Sequence, residues 1–134
     1  MTALPIDAFE GEFHRLIEQG PVVITAPTGT GKSTQVPRWA ARRGPVLVVE
    51  PRRVACQALA QRVAALEAQG DGYEVGFVVR DERTARETTD IVFATPGVVL
   101  RLLAENGLSR FSTVIVDEFH ERSLDVDLIL ALCV

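Results

Sequence analysis

The segment Ala26-Pro27-Thr28-Gly29-Thr30-Gly31-Lys32-Ser33 follows the spacing G-x-x-x-x-G-K-[ST] at every position but the first, where Ala26 stands for Gly. Such a stretch is suited to a phosphate chain. Gly29 and Gly31 let the backbone turn so that its N–H groups point inward, and with the N-terminus of a following helix they form an anion nest. Lys32 supplies a point charge for β- and γ-phosphates, and the Ser33 hydroxyl is placed to ligate Mg²⁺. Thr28, Thr30 and Thr34 complete the nucleotide-binding stretch. Of the 14 basic residues, Lys32 is the single lysine, so a chain that otherwise uses Arg has a lysine where a phosphate needs one. A second group lies in Val114-Ile115-Val116-Asp117-Glu118. An apolar strand there delivers two carboxylates at its C-terminal end, where open α/β sheets bind their ligands. Asp117 would hold Mg²⁺ through its water shell, and Glu118 would act as general base on an attacking water. Acidic strand ends are common, and the pair gains meaning from the phosphate loop upstream.

Both groups need a sheet to position them. Short continuous apolar runs at 22–25, 46–49, 75–79, 91–94 and 114–116 read as strands buried on both faces. Between them, 7–19, 33–43, 54–69, a stretch after Thr95-Pro96-Gly97 to about Glu105 and 124–134 read as helices. In the first, Phe9, Phe13 and Leu16 are expected to pack on the sheet. Gly70 is the expected C-terminal stop of the helix 54–69. Residues 81–90 are charged and read as a solvated loop or hairpin, with Arg80, Arg83 and Arg86 facing solvent among acids. Strands alternating with helices give an α/β fold with a parallel sheet.

Composition agrees with a globular domain. The chain has 134 residues, 47% apolar and 24% charged, which excludes general disorder. The net charge of −4 argues against binding nucleic acid by bulk electrostatics alone. Cys56 and Cys133 stand far apart in no metal-ligand spacing, which excludes a disulfide framework or a cysteine zinc site. No apolar run is long enough for a membrane span, and the N-terminus lacks the basic and apolar regions of a secretory signal, so the expected location is cytoplasmic, with no membrane partner.

The motifs together resemble a known family. Asp117-Glu118-Phe119-His120 resembles the DEAH box of superfamily 2 helicases with Phe in the third position, and Glu121-Arg122-Ser123-Leu124 continues the likeness. Pro51-Arg52-Arg53-Val54-Ala55 resembles motif Ia. Gly76-Phe77-Val78-Val79-Arg80 is similar to the V-G-Y-x-V-R stretch, and Thr95-Pro96-Gly97-Val98-Val99-Leu100-Arg101 to motif Ib. The Phe in the box and the short Leu-Pro lead are most similar to the bacterial HrpB type. The resemblance implies a three-layer RecA-like P-loop NTPase domain over 1–134, ATP and Mg²⁺ as cofactors, and single-stranded nucleic acid, RNA by family expectation, as partner. It implies that His120 couples the nucleotide site to the neighbouring lobe, that Arg52, Arg53 and Thr95 contact strand phosphates, and that Arg62 stacks on adenine. It further implies a second RecA-like lobe of the same protein and a Ser-Ala-Thr strand at the sheet centre beyond Val134. Without that strand the chain is expected to be marginally stable and at most a weak Mg·ATP binder. The alternatives are a small P-loop kinase and a stand-alone nucleotide- or nucleic-acid-binding module.

Overall fold

The apolar runs form strands because each is buried on both sides. In the computed structural model, which describes residues 8–19, 31–105 and 107–116, all four residues of β1 (Val46–Val49) and β4 (Ile91–Ala94) are buried. The expected strand at 22–25 and helix at 124–134 lie outside the described residues. The helices are α1 (Glu10–Ile17), α2 (Lys32–Ala41), α3 (Arg53–Ala68) and α4 (Pro96–Glu105), and the other strands are β2 (Val75–Val79), β3 (Glu82–Arg83) and β5 (Thr113–Val116). The sheet order is β3-β2-β4-β1-β5, parallel throughout except for β3, which pairs antiparallel with β2.

That order dictates where the helices go. The crossover from β1 to β2 through α3 travels one way across the sheet, and that from β4 to β5 through α4 travels the other way. Right-handed crossovers in opposite directions require helices on opposite faces. The two cores follow this rule. Val46, Val48, Phe77, Ile91 and Phe93 pack with α1, α2 and α3, whereas Leu47, Val49, Val78, Val92 and Ala94 pack with α4. The result is three layers, helices on both faces of a mainly parallel sheet.

The charged stretch at 81–90 is a hairpin return. The Thr84 and Ala85 N–H groups both donate to the Phe77 carbonyl, at 2.9 and 3.2 Å. Gly76 permits this approach, since a Cβ there would lie 2.8 Å from the Ala85 backbone. One local expectation is corrected. Phe9 is 56% exposed, because α1 begins at Glu10 and leaves it outside the helix, while Phe13 packs at a tilt against the Trp39 ring of α2, centroids 5.7 Å apart. α3 ends at Ala68 and the chain turns at Gly70 as expected, while the left-handed glycine of that turn is Gly72 (φ +78°), whose N–H donates to the Glu67 carbonyl at 3.0 Å.

At the N-terminal edge of the sheet a polar network ties the strand entries together. Arg86 pairs with Glu74, the buried Thr89 hydroxyl donates to Glu74, and Arg110 donates to the Arg86 and Thr89 carbonyls. Hydrogen bonds from Arg86 and then Thr89 hold the Glu74 carboxyl below its ordinary 4.5. A carboxyl depressed in the folded state contributes stability that is present above its unfolded value and lost as pH falls through the folded one. Glu74→Gln is therefore expected to lower the urea midpoint at pH 7, and the difference from wild type should shrink as pH falls below the ordinary carboxyl range. A constant difference between pH 7 and pH 3 would remove Glu74 from the acid response.

Candidate functional site

In a parallel sheet, the strand C-termini and the helix N-termini that follow them share one rim, and partial charge from the helices makes that rim anion-seeking. β1 ends at Val49, in register with Ala94 of β4 on one side and Val116 of β5 on the other. The chain leaving β1 turns through Glu50 and Pro51 into Arg52 and Arg53 at the start of α3. The chain leaving β4 turns through Thr95 into α4, with Pro96 at the first helical position, where its missing N–H costs nothing. The Val99 N–H donates to the Thr95 carbonyl at 3.1 Å, so Thr95 is the residue on which α4 starts. Arg52, Arg53 and Thr95 therefore sit on adjacent turns of one rim. Arg52 and Arg53 are exposed and Thr95 is half-buried.

α2 brings the described part of the phosphate loop. Gly31 has φ +93°, a left-handed conformation that glycine takes without strain, and it caps the helix. The Thr34 and Gln35 N–H groups both donate to the Gly31 carbonyl, at 3.2 and 2.8 Å, and the Thr34 hydroxyl donates to it at 3.1 Å. Lys32 and Ser33, the first two helical residues, have N–H groups that no i−4 carbonyl within the helix can receive, which is the geometry that phosphate oxygens accept from. Both side chains are half-buried. The Ser33 hydroxyl is a hard oxygen of the kind Mg²⁺ prefers, and Mg²⁺ in such sites takes one or two protein groups with phosphate oxygens and water. Residues 31–34 thus fit a magnesium-bound triphosphate. Thr28, Gly29 and Thr30, like Asp117, Glu118 and His120, lie outside the described residues. Asp117 follows Val116, the last residue of β5.

Arg62 stands on the exposed side of α3. Gln57, five residues earlier, donates to Glu82 of the hairpin at 3.2 Å and marks the flank of α3 that faces β3. Five residues turn a helix by about 140°, which puts Arg62 on a different side of α3 from Gln57.

Cys56, in the first turn of α3, is buried, and its thiol donates to the Glu50 carbonyl at 3.5 Å. Burial, then the Glu50 carboxylate, push the thiol up to about 12, so it is a packing group and not a nucleophile. Glu50 is itself 2% exposed, a buried acid at the rim that the sequence pattern marks only as the end of a strand. Sequence reasoning also passed over the buried pair of Arg38 on α2 and Glu67 on α3. The signal present was a polar stripe of Gln35, Arg38 and Arg42 at i, i+3 and i+7 along α2 and its C-cap. Among the described residues there is no group of three or more His, Cys, Asp or Glu that could hold a metal, and no helix long and apolar enough to cross a membrane.

The arrangement has relatives. A probable ATP-dependent RNA helicase of Caenorhabditis elegans, a DHX35 homolog, is 39% identical over 137 residues, covering 96% of this chain and 19% of the relative. The ATP-dependent RNA helicase HrpB of Escherichia coli is 38% identical over 138 residues, covering 98% of this chain and 17% of the relative. The chain thus spans less than a fifth of the length of these relatives. The crystal structure of Escherichia coli DEAH/RHA helicase HrpB superposes with a TM-score of 0.87 and 38% identity over 97% of this chain and 17% of that one. The three-layer sheet is accordingly a RecA-like helicase lobe. With residues 11–127 matching the family described as DEAD/DEAH box helicase, the chain belongs to that family.

Proposed function

We propose that residues 1–134 are part of the first lobe of an ATP-dependent RNA helicase, carrying its ATP and Mg²⁺ grip and part of its nucleic-acid path. The observation that supports this most strongly is the shared rim. The start of α2 with Lys32 and Ser33, the start of α3 with Arg52 and Arg53, and the start of α4 with Thr95 follow one another around the same end of the sheet. The names of the relatives point the same way.

In this reading Lys32 and the N–H groups of residues 31–34 hold the β- and γ-phosphates. Ser33 and Asp117 hold Mg²⁺, which when bound neutralises charge on the phosphate oxygens. Glu118 takes a proton from the attacking water, and His120 links the site to the second lobe. Arg62 covers the adenine. Arg52, Arg53 and Thr95 grip strand phosphates, contacts that position a strand without reading its bases. A second RecA-like lobe of the same full-length protein completes the site, and an arginine from such a partner can raise phosphoryl-transfer rates by about 10³–10⁵.

The test is Mg²⁺-dependent ATP hydrolysis by the full-length protein with and without single-stranded RNA. Stimulation by RNA is expected. Arg53→Ala is expected to weaken RNA binding across sequences and to reduce the slope of log K against log salt by about 1. ATP turnover indifferent to RNA, with phosphate passed to a small acceptor, would assign the site to a P-loop kinase instead.

A further inference from the structure

With 18 acidic side chains against 14 basic ones, an unpaired guanidinium in this chain calls for a reason. The arginines that hold the fold are engaged. Arg38 pairs with Glu67, Arg42 with Glu10, Arg43 with Glu18 and Arg86 with Glu74, and Arg110 donates to backbone carbonyls. Four guanidiniums have no hydrogen-bond or ion-pair partner among the described residues, those of Arg53, Arg62, Arg80 and Arg101. Arg53 opens α3 and Arg80 follows the last residue of β2, both on the rim, and Arg62 covers the adenine in the proposed reading. Arg101, in α4, has no part in that reading.

The side of α4 on which Arg101 stands leads back to the rim. Val98 and Val99 are buried against the sheet, with Leu102 and Leu103 packed beside them. Gly97 and Arg101, four residues apart and so on one side of the helix, are both exposed. Helical side chains lean toward the N-terminus, and each covers the turn before its own. The patch that Arg101 covers is therefore that of Gly97, where no side chain competes and a Cβ would meet nothing within 4 Å. Glu105, one turn further on, lies the other way and does not pair with it. A guanidinium level with Gly97 stands about 3 Å along the helix axis from Thr95.

Arg53 and Thr95 already define a direction. α3 lies on one face of the sheet and α4 on the other. The strand ends from which they start are neighbours, joined by the Glu50 N–H donating to the Ala94 carbonyl at 2.9 Å. A nucleic-acid strand touching both Arg53 and Thr95 thus passes over the end of the sheet from the α3 layer to the α4 layer. The next cation on that course is Arg101. We propose that Arg101 is a further backbone contact of the strand, holding the phosphate next to the one at Thr95 on the α4 side. This rests on the reading of Arg53 and Thr95 as strand contacts. A net charge of −4 gives a nucleic acid no general attraction, so each such contact is a discrete one.

The experiment is fluorescence anisotropy of a labelled oligouridine with the full-length protein over a series of salt concentrations, with thermal melting of each variant. Arg101→Ala is expected to weaken binding about fivefold and to lower the slope of log K against log salt by about 0.7, the share of one phosphate on a single strand. Arg101→Lys keeps the charge and is expected to keep the slope. Arg101 is exposed, so melting should not change, and Mg·ATP affinity should not change either. Arg43→Ala, beyond the far end of α2, controls for net charge and is expected to bind as wild type. An Arg101→Ala slope equal to wild type, or an Arg43→Ala slope lowered as much, overturns the proposal. So does a loss of ATP affinity with RNA binding intact, which would move Arg101 to the nucleotide. Arg53→Ala separates the proposal from the reading beneath it. If its slope falls and that of Arg101→Ala does not, the proposal alone fails. If wild type binds no RNA, or Arg53→Ala matches it, the reading fails and the proposal with it.

Discussion

Lys32→Ala is expected to abolish saturable binding of Mg·ATP, with affinity falling about a hundredfold, the worth of a charge-assisted contact to phosphate. The change is local. Lys32 is the first residue of α2, half-buried, and belongs to neither core cluster. Alanine is at least as good a helix former as lysine, so the helix and its Gly31 cap should survive. The check is a titration with a fluorescent ATP analogue, with far-ultraviolet circular dichroism confirming an unchanged fold. A folded variant that binds as tightly as wild type would take Lys32 out of the site. Arginine at the same place is not an equivalent, because a planar fork does not replace a compact ammonium among converging N–H groups.

Phe93→Ala is expected to cost about 3–5 kcal/mol in stability, the usual loss for a fully buried aromatic side chain. Phe93 has 0% exposure at the centre of β4, in register with Val48 of β1 and Phe77 of β2, and its ring belongs to the core beneath α1, α2 and α3. A loss of that size is comparable to a large share of the roughly 5–15 kcal/mol of a whole domain. Val54→Ala serves as the contrast. Val54 is 75% exposed, and its truncation should stay within about 0.5 kcal/mol. Urea unfolding of both variants reads the difference directly. A Phe93→Ala midpoint close to wild type would mean that the sheet centre is not where the core is.

The strands were readable because burial on both faces forces continuous apolar runs. Val46–Val49 and Ile91–Ala94 are such runs and are wholly buried. The starts of α2 and α4 were readable to within two residues, since a glycine-rich loop before Ser33 and the turn Thr95-Pro96-Gly97 mark them, while the helices begin at Lys32 and Pro96. Strand order was not readable in the same way. Nothing in Val46–Val49 names Ile91 or Thr113 as its neighbours, because an apolar run is equally suited to any parallel partner. The Arg38–Glu67 bridge was hidden for a related reason. A glutamate near the end of an alanine-rich helix reads as solvated, and only the tertiary offset of 29 residues shows it 2% exposed against an arginine. Phe9 misled in the opposite direction, because helical spacing says which residues share a face but not where the helix begins.

The pairing of β1 has a consequence for how the chain reaches this state. Its two neighbours in the sheet begin at Ile91 and Thr113, so Val46–Val49 waits for both partners while the intervening chain is still being made. The hairpin of β2 and β3 is the one local ladder among the described strands. Closing such long loops before any contact rewards them makes for slow folding. During synthesis the most apolar strand of the sheet is therefore exposed longest, and a nascent chain of this design is a natural client for a holding chaperone until β5 has emerged.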